Sequence, residues 1–349
     1  MAPVPVQVMG SASSSIHKMQ PKTPTTPIKT HHSAQNNSFT KLSMSASLQT
    51  GHAVSSLCLN KTCSRMYVGG KGSVKIVDSP LKQTNNDEIS NHYSLDFTHE
   101  SFIRSMTLSS DETTMYACGE GSGIVSYDVV KGLKKLTLPT PDSSINFSMT
   151  CSKDDRLLMW CQVNGLIGLW DCRTNDVVRK FEGHSETPLS IEMDPIVESR
   201  FFTAGMDKTL KIWDITTGRT VQEYRSEARI LSTCASPLTD SIVLGLENGC
   251  LEVVGNTRTQ LRQISIQQKH FNSVLTCKFS PKGNYYVSGG KDCFLKINRA
   301  TMNPAQKDVS PDKLSNSVLS CDVACLHDTD CIAVGTWDKK VHVYSLCNF

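Results

Sequence analysis

Arg200-Phe201-Phe202-Thr203-Ala204, then Leu210-Lys211-Ile212-Trp213-Asp214, then Thr220 to Tyr224 form three short runs rich in β-branched and aromatic residues. Gly205, Asp207 and Gly218 punctuate them, as expected of successive antiparallel strands joined by tight turns. The middle run is not unique. Val74-Lys75-Ile76-Val77-Asp78, Ile124-Val125-Ser126-Tyr127-Asp128 and Ile167-Gly168-Leu169-Trp170-Asp171 precede it with the same alternation and the same closing acid. Leu251-Glu252-Val253-Val254-Gly255, Leu295-Lys296-Ile297-Asn298-Arg299 and Val341-His342-Val343-Tyr344-Ser345 follow in weaker form. Successive copies end 50, 43, 43, 41, 44 and 46 residues apart.

A period of 40 to 50 residues with several strands per period is the signature of WD repeats. Seven copies predict an all-β, seven-bladed WD-repeat β-propeller of four-stranded blades. Blade four is the most complete. Gly183-His184 precedes it, and His184, Thr203, Asp207 and Trp213 stand where such repeats build a buried hydrogen-bond network. A His-Asp-Thr grouping also resembles a catalytic triad, but blade packing accounts for it, because a buried polar network must be fully satisfied. Blade six keeps His270, Ser288 and Asp292 with Asn298 in the Trp position, and blade one has Val77 there.

The seventh repeat ends near Leu346 without a fourth strand, leaving an open edge that the fold must close. Leu42 to Gln49 alternates apolar and polar residues and lies just before blade one, so residues 42–49 are expected to supply the closing strand. Residues 1–41 are rich in Ser, Thr, Pro, Gln and Asn and are expected to form a disordered arm. Its two Thr-Pro steps, at Thr23 and Thr26, could accept a proline-directed phosphate, though a solvated linker is the plainer reading. The arm and closing strand, residues 1–50, hold four lysines and no acid against a net charge of +3, so the propeller body is close to neutral. That excludes a nucleic-acid-binding body. No stretch is long and apolar enough to span a membrane, and no secretion signal opens the chain. The 14 cysteines are scattered through apolar runs and read as reduced core residues; Cys321 and Cys325 have no matching pair that would make a metal site. Without a Gly-rich phosphate loop, metal-ligand spacing or nucleophile elbow, no enzyme, cofactor or metal is implied.

Three segments narrow the choice among propellers. Tyr67-Val68-Gly69-Gly70-Lys71-Gly72-Ser73-Val74-Lys75, Phe102-Ile103-Arg104-Ser105 and Ser317-Val318-Leu319-Ser320-Cys321-Asp322 resemble blade segments of the Groucho/TLE family of transcriptional corepressors. Gly119-Glu120, Val177 to His184, Asp214 to Arg219, Ser288 to Asp292 and Trp337 to Lys340 agree in order, so the resemblance runs over about residues 42–346. It implies a nuclear protein that binds DNA-bound transcription factors through Trp-Arg-Pro-Trp tails or engrailed-homology helices laid over the channel mouth.

Carried over position by position, the peptide-binding residues implied are Ala53, Phe102, Arg104, Glu120, Leu231, Leu275 and Leu319. Leucines would floor the site, Arg104 would stack on an aromatic ring, and Glu120 would hold Arg104 or a basic group of the peptide. Departures from the family are Ala53 for a larger aliphatic, Phe102 for Tyr and Leu231 for Phe, which predict a roomier, less polar pocket. The family's glutamine-rich coiled coil and long linker have no counterpart in residues 1–41, so the chain is expected to read repressor motifs without an effector, acting as a competitor, or to be a truncated sequence. A generic WD scaffold, in ubiquitin ligation or trafficking, is the alternative from another class.

Overall fold

The computed structural model describes residues 41–82, 94–96, 102–121, 123–140, 145–256, 260–300, 309–326 and 329–347. The expected arm, with Thr23 and Thr26, lies outside them except for Lys41, where a strand already begins. Among the described residues, apart from one 3-10 turn at Pro80–Lys82, the elements are strands, arranged as seven antiparallel sheets. The chain is an all-β, seven-bladed propeller. Blade four shows the plan, with Pro188–Met193 innermost, then Arg200–Gly205, Thr209–Asp214 and Arg219–Arg225. Among the described residues blade six shows three strands, Val274–Phe279, Tyr285–Gly290 and Leu295–Arg299, and a bridge from Ile297 to Val309.

Seven hydrophobic clusters hold the ring together, and each joins two neighbouring blades. The core therefore lies between sheets rather than at the centre. Two of the clusters show how the seam is made. Lys41–Gln49 runs antiparallel to Lys340–Cys347 as the outer strand of blade seven, from Lys41 opposite Cys347 to Gln49 opposite Lys340. The alternation in this segment is interrupted. A register shift between Met44 and Ala46 sends Ala46 and Leu48 into the cluster between blades seven and one, while Leu42 packs on the opposite cluster, between blades six and seven. Met44 is left half exposed. An extra residue in a strand reverses the facing of everything beyond it, so one bulge lets one strand serve two cores.

Blade three keeps Trp170-Asp171 but fills its interior differently. Trp160 stands opposite Gly168, and a Cβ on that glycine would come within 2.5 Å of three indole atoms. Trp160 occupies the register position that Thr203 holds in blade four, so the polar network is replaced by an aromatic ring.

Candidate functional site

Six of the seven innermost strands carry a bulge at their second residue. The bulged residues are Arg104, Phe147, Leu189, Leu231, Leu275 and Leu319. A bulge re-aims its side chain, and these six turn into the mouth of a central cavity of about 290 Å3, with Ser55 completing the ring from blade one. Ala53 and Phe102 both stand two residues ahead of the ring position in their blades. Phe102 is held at the rim by a bridge to Lys71, and its carbonyl accepts the Glu120 N–H at 3.4 Å.

Around the ring, apolar side chains dominate one side and charge is concentrated on the other. Arg104 Nη2 donates to Glu120 Oε1 at 2.5 Å, and its guanidinium lies 5.6 Å from the Phe147 ring centroid. Both ion-pair partners are partly exposed, so the pair orients the guanidinium more than it stabilises the fold. Arg104 is thus held by a carboxylate and near a ring while remaining partly exposed. Phe147 and Leu189 were not singled out from the sequence.

Immediately below the ring every blade presents a hydroxyl: Ser56, Ser105, Ser148, Ser190, Ser232, Thr276 and Ser320. Each faces a small residue on the second strand of its blade, among them Gly69, Ala204, Gly245, Gly289 and Gly335. Several reach across to the next blade. Ser105 Oγ accepts the Met149 N–H at 3.2 Å, Ser190 Oγ meets Thr233 Oγ1 at 2.8 Å, and Ser320 Oγ donates to the Val54 carbonyl at 3.2 Å. Neighbouring innermost strands belong to different sheets, so these side chains supply the ties that backbone pairing cannot.

Deeper still lie Glu192, Lys278 and Asp322. Glu192 Oε2 accepts the Ala235 N–H at 2.9 Å and Asp322 Oδ2 the Leu59 N–H at 2.7 Å, each from the following blade. Burial raises both carboxyls above their ordinary range, against the pull of Lys278. Burial pushes the Lys278 ammonium down, but Asp322 and Glu192 outweigh it and hold it above its usual value. The channel is polar below its apolar lip.

His184 lies inside blade four. Its Nδ1 is 2.8 Å from Asp207 Oδ2 and its Nε2 is 2.7 Å from Thr203 Oγ1, which also accepts the Trp213 indole N–H at 2.7 Å. With Thr203 Oγ1 accepting from Trp213, its own hydrogen points to Nε2, leaving the ring proton on Nδ1 for Asp207. Asp207 also accepts the backbone N–H groups of Ser185 and Thr209. Every group has its partner and none faces the channel, which makes this network a structural one. Among the described residues no cluster of three or more His, Cys, Asp or Glu could hold a metal ion.

Comparison with known proteins agrees with this architecture. Residues 175–214 and 261–297 match the WD domain, G-beta repeat family. The chain is 29% identical to Protein groucho of Drosophila melanogaster over 300 residues, which cover 86% of this chain and 40% of that protein. It is 28% identical to Transcription factor unc-37 of Caenorhabditis elegans over 310 residues, covering 88% and 49% of the two chains. Transducin-like enhancer protein 2 of Mus musculus is 28% identical over 302 residues, with 86% and 38% covered. The propeller is therefore Groucho/TLE-like, and the chain spans less than half the length of these relatives.

Proposed function

We propose that this propeller is a protein-interaction module of the transcriptional-corepressor type, which docks short motifs of DNA-bound repressors at the channel mouth. The observation that carries the reading is the asymmetric lip, with Arg104 held against Glu120 and Phe147 on one side and Leu189, Leu231, Leu275 and Leu319 on the other. A flat, partly exposed guanidinium offers a stacking face to an aromatic ring, and the leucines offer an apolar floor. Short peptides bind such sites through one or two anchors. Trp-Arg-Pro-Trp and engrailed-homology peptides, each with apolar or aromatic anchors, fit that chemistry. Glu120 holds Arg104 in place for the ligand, and Phe102, without a hydroxyl, adds only apolar area at the rim.

Acting on DNA-bound factors places the protein in the nucleus. Because it would occupy the same motifs as other readers, it would compete with them wherever both are present. The test is direct: wild type, Arg104→Ala and Leu319→Ser are offered immobilised Trp-Arg-Pro-Trp and engrailed-homology peptides. Wild type is expected to bind, with each variant weakened about 10- to 100-fold, the range for loss of a central anchor. Absence of binding by wild type, or equal binding by all three proteins, would return the chain to the wider class of WD scaffolds.

A further inference from the structure

The rim of blade six carries a lysine whose counterpart in blade four is ion-paired. In blade four, Lys211 Nζ is 2.5 Å from Glu223 Oε2 across the sheet. The corresponding residue of blade six is Lys296, whose ammonium donates to the Lys269 carbonyl and lies 5.9 Å from the Phe271 ring centroid and 5.8 Å from that of Phe294. Lys313, from the loop before blade seven, stands 5.9 Å from the Phe294 ring. Phe271 is 86% exposed, the most exposed large apolar side chain among the described residues, and the exposed Lys291 sits on the turn whose backbone bonds to Ser273, two residues after Phe271. The nearest carboxylate on this turn, Asp292, faces inward to His270 and accepts the Phe271 N–H, leaving it 4% exposed.

This cluster stands at the same end of the propeller as the channel mouth. The Lys291 N–H donates to the Ser273 carbonyl and the Trp337 N–H to the Ser317 carbonyl. Ser273 and Ser317 each lie two residues ahead of the ring leucines Leu275 and Leu319. A ligand leaving the mouth across blade six would therefore pass over a ring face set among lysines.

We infer that this rim is a second subsite for the same peptide ligands, and that it takes an acidic flank. Carboxylates pair with Lys291, Lys296 and Lys313 while one apolar side chain packs on Phe271. Charge complementarity selects the partner, because cation–π contacts stabilise an ammonium without cancelling its charge. A peptide is favoured over a nucleic acid, since the adjoining lip is leucine and the propeller body is close to neutral. The inference rests on the mouth reading for the position of the peptide core.

The test uses an uncharged engrailed-homology core peptide, the same core with three acidic residues on either side in separate peptides, and lysine versions of both. Affinities are measured by fluorescence polarisation with wild type, Lys291→Glu/Lys313→Glu and Phe271→Ala, at low and high salt. One of the acidic extensions is expected to tighten wild-type binding about tenfold at low salt, as several exposed ion pairs would. The gain should vanish in the charge-reversed protein and in high salt, while the core peptide binds that protein as it binds wild type, which also shows that it is folded. Phe271→Ala should reduce the gain.

Core binding with equal affinity for acidic and lysine versions would overturn the rim subsite and leave the mouth reading standing. Rim-dependent binding of acidic peptides with no binding of the core would do the reverse. A single-stranded oligonucleotide that displaces the acidic peptide at equal concentration would overturn the peptide assignment. Failure of every peptide to bind would overturn both readings.

Discussion

Blade four and blade six close the same circuit with different parts. In each, a histidine bridges an inward aspartate and a hydroxyl: His184 with Asp207 and Thr203, His270 with Asp292 and Ser288. In each, the aspartate also accepts N–H groups from the loop before the innermost strand and from the turn between the second and third strands. The last donor differs. Trp213 gives an indole N–H and packs its ring 6.1 Å from Phe201 and 5.7 Å from Phe181, whereas Asn298 gives an amide N–H at 3.1 Å and leaves its Oδ1 without a hydrogen-bond partner. The His-Asp-hydroxyl frame sets the turns, and the third-strand residue is an interchangeable donor whose packing value varies.

Truncation should separate the two donors most widely. Trp213→Ala removes a fully buried ring and is expected to cost about 3–5 kcal/mol. Asn298→Ala removes two amide hydrogen bonds, to Ser288 Oγ and to the Lys296 carbonyl, together with an orphaned carbonyl, for about 1–2 kcal/mol. Urea unfolding of both variants measures the difference; equal losses would mean that the network, and not the aromatic packing, carries blade four.

The parts visible in the sequence were those that repeat. The period fixed the blade count because every third strand returns in the same alternation, and the network was visible because His184, Thr203, Asp207 and Trp213 are side chains at set spacings. What stayed hidden depends on backbone register. A bulge adds no residue type that marks it, so the reversal between Met44 and Ala46 did not show in the alternation of residues 42–49. The same holds at the mouth. Phe147 and Leu189 were overlooked because a bulge, and not the start of the strand, decides which side chain turns inward there; in blade one, where the innermost strand has no bulge, Ser55 takes the ring position. A usable signal was present, since an apolar residue followed by Ser or Thr recurs at that point, as in Leu189-Ser190, Leu231-Ser232, Leu275-Thr276 and Leu319-Ser320.

Acid should divide the two blades by pH. Burial pushes the Asp207 carboxyl up, but the His184 hydrogen bond and charge and the Thr209 contacts outweigh it and bring it down to about 2. A folded-state value below the unfolded one of 3.8 stabilises the protein above about pH 4, and that contribution, about 2 kcal/mol, is lost as pH falls toward 2. His270 behaves differently. Burial lowers its pKa from 6.5, with Asp292 only partly compensating, so the unfolded chain takes up the proton first and stability falls as pH drops below about 6.5. Hydrogen exchange followed from pH 7 to pH 5, corrected for intrinsic rates, should therefore show the turn at Lys291–Phe294 loosening before the turn at Asp207–Thr209. Simultaneous loosening would break the distinction.

The third-strand position that holds Lys211 in blade four and Lys296 in blade six holds His342 in blade seven, opposite Ser47 of the closing strand. There the comparison reaches its limit, because neither ring nitrogen of His342 has a hydrogen-bond partner although the side chain is buried. Burial lowers its pKa, so the ring stays neutral near pH 7 with both nitrogens stripped of water. An unsatisfied buried polar group is a cost that an apolar side chain of similar volume avoids. His342→Leu is expected to stabilise the propeller by about 1 kcal/mol at pH 7, and by more at pH 5, where protonation of the unfolded histidine penalises the wild type. Thermal unfolding at the two pH values reads both effects. A loss of stability at pH 7 would show that this histidine holds the seam through a contact its ring nitrogens do not make.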